Sequence, residues 1–157
     1  MFFKAVIPIL KEKKELYLVC AGSSNFSEEE KKMIEESGVS NRVKHIRFRD
    51  EDLGYIYNKA MCFVFPSLYE GFGIPVLEAF ACNCPAVISN TSSLPEVGGN
   101  AVEYFNPKDI KSIESSVRRV VNDEVLRKEM IRKGKDRLKM FSWEKTTRGF
   151  QGNFRIF

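Results

Sequence analysis

Glu70 and Glu78 stand with seven residues between them in the stretch Pro66-Ser67-Leu68-Tyr69-Glu70-Gly71-Phe72-Gly73-Ile74-Pro75-Val76-Leu77-Glu78. Ionised carboxylates accept charge-assisted hydrogen bonds, and hydroxyl groups are suitable donors. Gly71 and Gly73 let backbone N–H groups come close to a ligand. Pro75 suits the first position of a helix, where its fixed φ helps and its missing N–H is not needed. The start of a helix carries a weak positive pole that favours phosphate. The stretch therefore offers a phosphate cradle with two hydroxyl acceptors, Glu70 at the loop mouth and Glu78 one turn into the helix.

The elements around it must hold this loop open. Cys62-Phe63-Val64-Phe65 is a short apolar run ended by Pro66, which predicts a strand covered on both faces, as in a parallel sheet. Upstream, apolar residues crowd positions 2–10, and Pro8 predicts a helix that is broken or begins there. Residues 16–20 and 43–48 read as strands. Ser27-Glu28-Glu29-Glu30 between them is a helix start, with Ser27 as cap, Glu30 at the capping-box position and Gly38 as the stop. Asp50-Glu51-Asp52 opens a helix whose stripe is Leu53, Ile56, Tyr57 and Ala60. After the glutamate helix, Asn83 falls at a left-handed cap, and Pro85 to Ser89 is a strand. Asn90 to Gly99 is a polar loop, with roles as a plain turn or as a pocket lining both open. Ala101 to Phe105 is a strand. Helices follow over about 108–121 and 123–140, and Ser142 caps a last one with Trp143 as a packing anchor. Strands alternating with helices predict an α/β fold with a parallel sheet.

The setting Pro-Ser-x-x-Glu-Gly-Phe-Gly-x-Pro-x-x-Glu-Ala, met here at every fixed position through Ala79, resembles the group 1 (family 4) glycosyltransferases. Those enzymes place two Rossmann-like domains across a cleft. The resemblance covers about residues 15–148 and only the second half of the family's length. It implies that residues 1–157 form a single donor-binding domain, a fragment of a two-domain enzyme without the acceptor domain. It also implies a Rossmann-like parallel sheet flanked by helices that lacks the family's first strand, with the arginine and lysine that grip the diphosphate. The implied activity is retaining transfer of a sugar from a nucleotide-diphosphate sugar. Glu70 would take hydroxyls of the transferred sugar and serve as the catalytic residue. Glu78 would take the ribose hydroxyls, Gly71 and Phe72 belong to the same donor-binding set, and the N–H groups near Gly73, Ile74 and Val76 suit the leaving phosphate. The base would lie near Arg47 and Phe48. No metal and no cofactor is implied beyond the nucleotide sugar. Two alternatives stay open: a non-catalytic α/β assembly module, or a sugar-nucleotide epimerase of the same architecture.

In the doubly wound order 3-2-1-4-5-6 the first strand is central. Its loss would leave two edges with unpaired backbone groups, each costing about 1–3 kcal/mol if buried and unsatisfied. Residues 16–20 are therefore expected to pair with residues 62–65, or the stretch 2–9 to enter as a strand, from this chain or a second copy in a homodimer.

Bulk properties exclude several classes. The 157 residues suffice for one domain with a core. No apolar run approaches the roughly 20 residues of a membrane span, and the N-terminus has no signal-peptide pattern. A cytoplasmic location, with peripheral contact at the inner face of the membrane, is the expectation. Cys20, Cys62, Cys82 and Cys84 lack zinc-ligand spacing and read as reduced thiols, and His45 stands alone, which leaves a metal site little to work with. Residues 108–157 carry 14 Lys/Arg against 7 Asp/Glu, while residues 1–107 carry 11 against 14. No nucleic-acid motif accompanies the basic part, which reads as a solvated helix face.

Overall fold

The structure, a computed structural model, describes residues 1–22, 25–47 and 50–141. Phe48, Ser142 and Trp143 lie outside the described residues. In chain order the elements are α1 Phe2–Glu12, β1 Leu18–Ala21, α2 Glu28–Glu36, β2 Val43–Ile46, α3 Asp50–Lys59 and β3 Phe63–Phe65. Then follow α4 Ile74–Ala81, β4 Ala86–Ser89, α5 Leu94–Gly98, β5 Glu103–Phe105, α6 Ile110–Asn122 and α7 Glu124–Leu138. The chain is an α/β protein with parallel strands flanked by helices.

Local chemistry sets several of these boundaries. Ser27 Oγ accepts from Glu30 N–H while Glu30 Oε2 accepts from Ser27 N–H, so the capping box closes as the sequence predicts. Asp109 and Asp123 cap α6 and α7 through their carboxylates. Asn83 adopts φ +57 after α4, the left-handed position expected of it.

Two sheets result. β1 pairs with β2 from Leu18↔Val43 to Ala21↔Ile46, and β4 pairs with β3 on one side and β5 on the other, all parallel. All four residues of β4 are buried, as a strand covered on both faces must be. Ala86 and Ile88 face Val76, Ala79, Phe80, Leu94 and Val97. Val87 turns the other way, towards Phe105, Ile113, Val117 and Val120.

The expected closure of the sheet does not occur. Among the described residues β1 pairs only with β2 and β3 only with β4, so neither strand closes on the other. Residues 2–9 enter no sheet, because α1 runs unbroken through Pro8. The reason is the double stripe of α1. Ala5 and Ile9 pack with Val87, Phe105 and Val117, whereas Phe3, Ile7 and Leu10 pack with Ile34, Val39 and Val43. One helix thus serves both cores, and extending it into a strand would forfeit one of them. A small, partly open apolar pocket lined by Val6, Ile9, Leu16, Leu18, Val64 and Val117 stands between β1 and β3. Arg42 secures the end of α1, donating to the carbonyls of Lys13 at 3.0 Å and Leu16 at 3.3 Å.

The basic C-terminal part is a salt-bridged helix face. Lys128 pairs with Glu124, Arg132 with Glu129, and Lys139 with Asp136, all exposed. Such pairs contribute little stability each.

Candidate functional site

In a parallel sheet the loops that follow the C-terminal ends of the strands gather at one edge, where ligands bind. β3 ends at Phe65 opposite Ile88, and Ser89 Oγ donates to the Phe65 carbonyl at 3.3 Å. The segment 66–73 leaves this edge and returns as α4. Thr91, Ser92 and Ser93 follow β4 at the same edge. They brace the first loop: Thr91 Oγ1 donates to Ser67 O at 3.3 Å, and both Ser92 Oγ and Ser93 Oγ donate to Glu70 O. The polar loop 90–99 also contains α5, a short helix the sequence did not announce. Its second position is Pro95 and its length is five residues, too short for apolar periodicity to register.

Glu70 is half-buried. Its Oε1 accepts from Ser67 Oγ at 2.9 Å, which leaves the second oxygen open to a ligand. Gly73 is the N-cap of α4 at φ +92 and is buried; a Cβ there would meet Leu94 Cδ2 at 2.8 Å. Gly71 differs: no positive φ marks it, and a Cβ would meet nothing within 4 Å. Ile74 begins α4, Pro75 follows it, and the N–H of Val76 is engaged by Gly73 O at 3.0 Å. Val76 therefore offers its amide to the helix, and its side chain is fully buried. Among the described residues no hydrogen bond takes the N–H groups of Gly71, Phe72, Gly73 or Ile74. No intramolecular partner thus occupies these four amides.

Glu78 lies in the second turn of α4, half-buried, with Tyr57 Oη donating to Oε2 at 3.3 Å. The sequence placed Tyr57 on the apolar stripe of α3 and so read it as core. Its body is core, but its hydroxyl is not; the partner is 21 residues away, and only the fold brings it near. Phe72 is 48% exposed and meets Phe141 edge to face at 5.9 Å. The Arg137 guanidinium lies over Phe141 at 5.2 Å and donates to Val97 O and Glu96 O, joining the end of α7 to the end of α5. Arg47 follows β2 and is exposed, while Phe48 lies outside the described residues.

Other chemistries find little support here. Burial pushes the Cys20 and Cys62 thiols up to about 11 and the Cys84 thiol to about 12, so none is a thiolate near neutral pH. Among the described residues no group of three or more His, Cys, Asp and Glu is arranged to hold a metal ion, and no helix is long and apolar enough to cross a membrane. An open concavity of about 490 Å³ lies between α1 and α2, lined by Ile7, Pro8, Glu29, Met33 and Glu36; neither Glu70 nor Glu78 reaches it.

A parallel α/β sheet flanked by helices, with a carboxylate-bearing loop at the C-terminal ends of its strands, is a Rossmann-like arrangement. The family described as "Glycosyl transferases group 1" matches residues 2–137, and the chain belongs to that family. It is 45% identical over 98 residues to the O-antigen chain mannosyltransferase B of Escherichia coli, covering 62% of this chain and 26% of that protein. It is 32% identical over 124 residues to the O-antigen chain mannosyltransferase RfbU of Salmonella typhimurium, covering 74% of this chain and 35% of that protein. The chain thus spans about a quarter to a third of the length of these relatives. Solved structures share the fold. The C-terminal domain of the group 1 protein LpcC from Francisella tularensis superposes with TM-score 0.79 at 23% identity, over 89% of this chain and 76% of that one. Staphylococcus aureus TarM gives 0.80 at 18% identity, over 96% and 31%.

Proposed function

We propose that this chain is the nucleotide-sugar-binding domain of a retaining glycosyltransferase, and that residues 1–157 are one part of a two-domain enzyme. The observation that carries the reading is the run of free amides from Gly71 to Ile74, flanked by Glu70 in the loop and Glu78 in α4. Transfer breaks the bond between the anomeric carbon and the diphosphate oxygen. The electron pair goes to the leaving phosphate, and donors aimed at that charge stabilise the transition state. The four amides and the start of α4 supply such donors without a metal ion. Glu70 receives hydroxyls of the transferred sugar, Glu78 receives those of the ribose, and the base lies near Arg47 and Phe48. The mannosyltransferase relatives favour mannose as the sugar and a glycan as the acceptor. They also favour transfer over the epimerase and assembly-module readings. Work on such acceptors suits a cytoplasmic domain that touches the membrane from one side. A homodimer through the open strand edges of β1 and β3 is a further expectation of this reading.

Calorimetric titration of the 157-residue chain with UDP, GDP and ADP tests it. One nucleotide should bind, and Glu78→Ala should weaken that binding by about 1.5–3 kcal/mol, the range for a hydrogen bond to a charged group. A folded chain that ignores all three would be an assembly module instead.

A further inference from the structure

We propose that Tyr57 is the positioning residue for Glu78: its hydroxyl fixes the carboxylate in the orientation that receives the ribose hydroxyls of a nucleoside diphosphate. The inference rests on the reading of Glu78 given above and goes beyond it by naming what aims that side chain.

Tyr57 is 8% exposed, and its ring belongs to the core of Val76, Ala79, Phe80 and Cys84. The ring meets Phe63 edge to face at 5.2 Å, and Phe63 in turn stacks on Phe65 at 5.5 Å. β3 therefore fixes the ring from below. A phenylalanine would fill this site equally well, so the hydroxyl is the informative atom. A buried hydroxyl needs a partner, and here the partner is the Oε2 of Glu78 at 3.3 Å. Among the described residues no other side chain bonds to that carboxylate. Without Tyr57, a glutamate on a helix surface would sample several rotamers, and a ligand would bear the cost of ordering it. With Oε2 held, Oε1 and the remaining lone pairs stay available to ribose hydroxyls. Burial and the charge of Glu78 push the tyrosine hydroxyl far above its ordinary value, which keeps it protonated and donating.

The test compares the tightest-binding of UDP, GDP and ADP with its 2′,3′-dideoxy form, titrated into wild type and Tyr57→Phe. Wild type should prefer the ribose form. Tyr57→Phe should lose about 2- to 10-fold on the ribose form, the scale of ordering one flexible side chain, and nothing on the dideoxy form. A purely structural role would move both nucleotides alike. Equal loss on both, or no loss on either, overturns the inference while leaving the reading of Glu78 intact. A wild type that does not distinguish the two forms, or binds none, overturns that reading and the inference with it. In a Glu78→Gln background, Tyr57→Phe should change ribose affinity by less than it does in wild type. An undiminished loss there also overturns the inference.

Discussion

Ser93 Oγ donates to the carbonyl oxygen of Glu70 at 2.9 Å, and Ser92 Oγ donates to the same oxygen at 2.7 Å. The loop after β4 thus grips the backbone of the residue that carries the candidate sugar ligand. Ser92 holds φ +55, a conformation few non-glycine residues adopt, and this contact offsets its strain. Each such bond contributes about 0.5–1.5 kcal/mol. Ser92→Ala with Ser93→Ala should therefore lower stability by about 1–3 kcal/mol and loosen donor binding. Urea unfolding and calorimetry check both effects; an unchanged midpoint would show that the two loops are independent.

Gly73 and Gly71 should part company. At Gly73 a side chain meets both the left-handed φ and Leu94 at 2.8 Å. Gly73→Val should cost at least the roughly 1–2 kcal/mol of left-handed strain, with the clash added, and so destabilise the free protein. At Gly71 a Cβ meets open space. Gly71→Val should leave the melting temperature nearly unchanged and weaken nucleotide binding, since the added bulk stands on the ligand side of a free amide. A Gly71→Val variant with full affinity would remove that amide from the cradle.

The sequence made much of this site legible and left parts of it hidden, for physical reasons. Glu70, Gly73, Pro75 and Glu78 are local: a strand end, a loop and a helix start within 13 residues, so the pattern itself specifies the geometry. Ser27 and Asn83 are legible for the same reason, because capping is settled within one turn. What escaped depends on distant partners. Tyr57 looks like any apolar-stripe residue until α4 is laid beside α3. Val76 looks like a free helix-start amide until Gly73 O claims it. Pro8 suggested a break in α1, but burial of six residues along that helix outweighs one lost hydrogen bond. The expected sheet closure failed because residues 2–10 carry two helical stripes, each wanted by a different core.

Alkaline pH should destabilise the fold through Cys84. The thiol is 2% exposed, and burial raises it to about 12, whereas an unfolded cysteine titrates near about 8.5. A folded value above the unfolded one means that the contribution of the buried thiol is fully present below the unfolded value. It then declines as pH rises through the interval between the two. Wild type should lose stability across about pH 8.5–12, and Cys84→Ala should show a shallower decline. The same burial makes Cys84 slow to react with Ellman's reagent at pH 8 until denaturant is added. Rapid reaction of Cys84 in the native protein would contradict both expectations.

The chain alone should transfer no sugar at an appreciable rate. Retaining transfer needs the donor's anomeric carbon and the acceptor hydroxyl held together, and such positioning can supply roughly 7–11 kcal/mol of the barrier. On the proposed reading residues 1–157 bring a donor cradle, but the chain covers only 26% of one mannosyltransferase relative and 35% of another. Arg137, whose guanidinium lies over the Phe141 ring that Phe72 meets, is also committed elsewhere. It donates to the carbonyls of Glu96 and Val97. On the proposed reading, the developing diphosphate charge is met by the amides of Gly71 to Ile74 and the start of α4. Binding can survive under those conditions while acceleration does not, because binding needs the ground-state contacts and transfer needs an aligned second substrate. A radiolabelled nucleotide-sugar assay with purified chain should show slow donor hydrolysis at most, and covalent linkage to a cognate polypeptide carrying the acceptor site should restore transfer. Stoichiometric glycosylation of any acceptor by residues 1–157 alone would show that donor and acceptor sites both lie within this one domain.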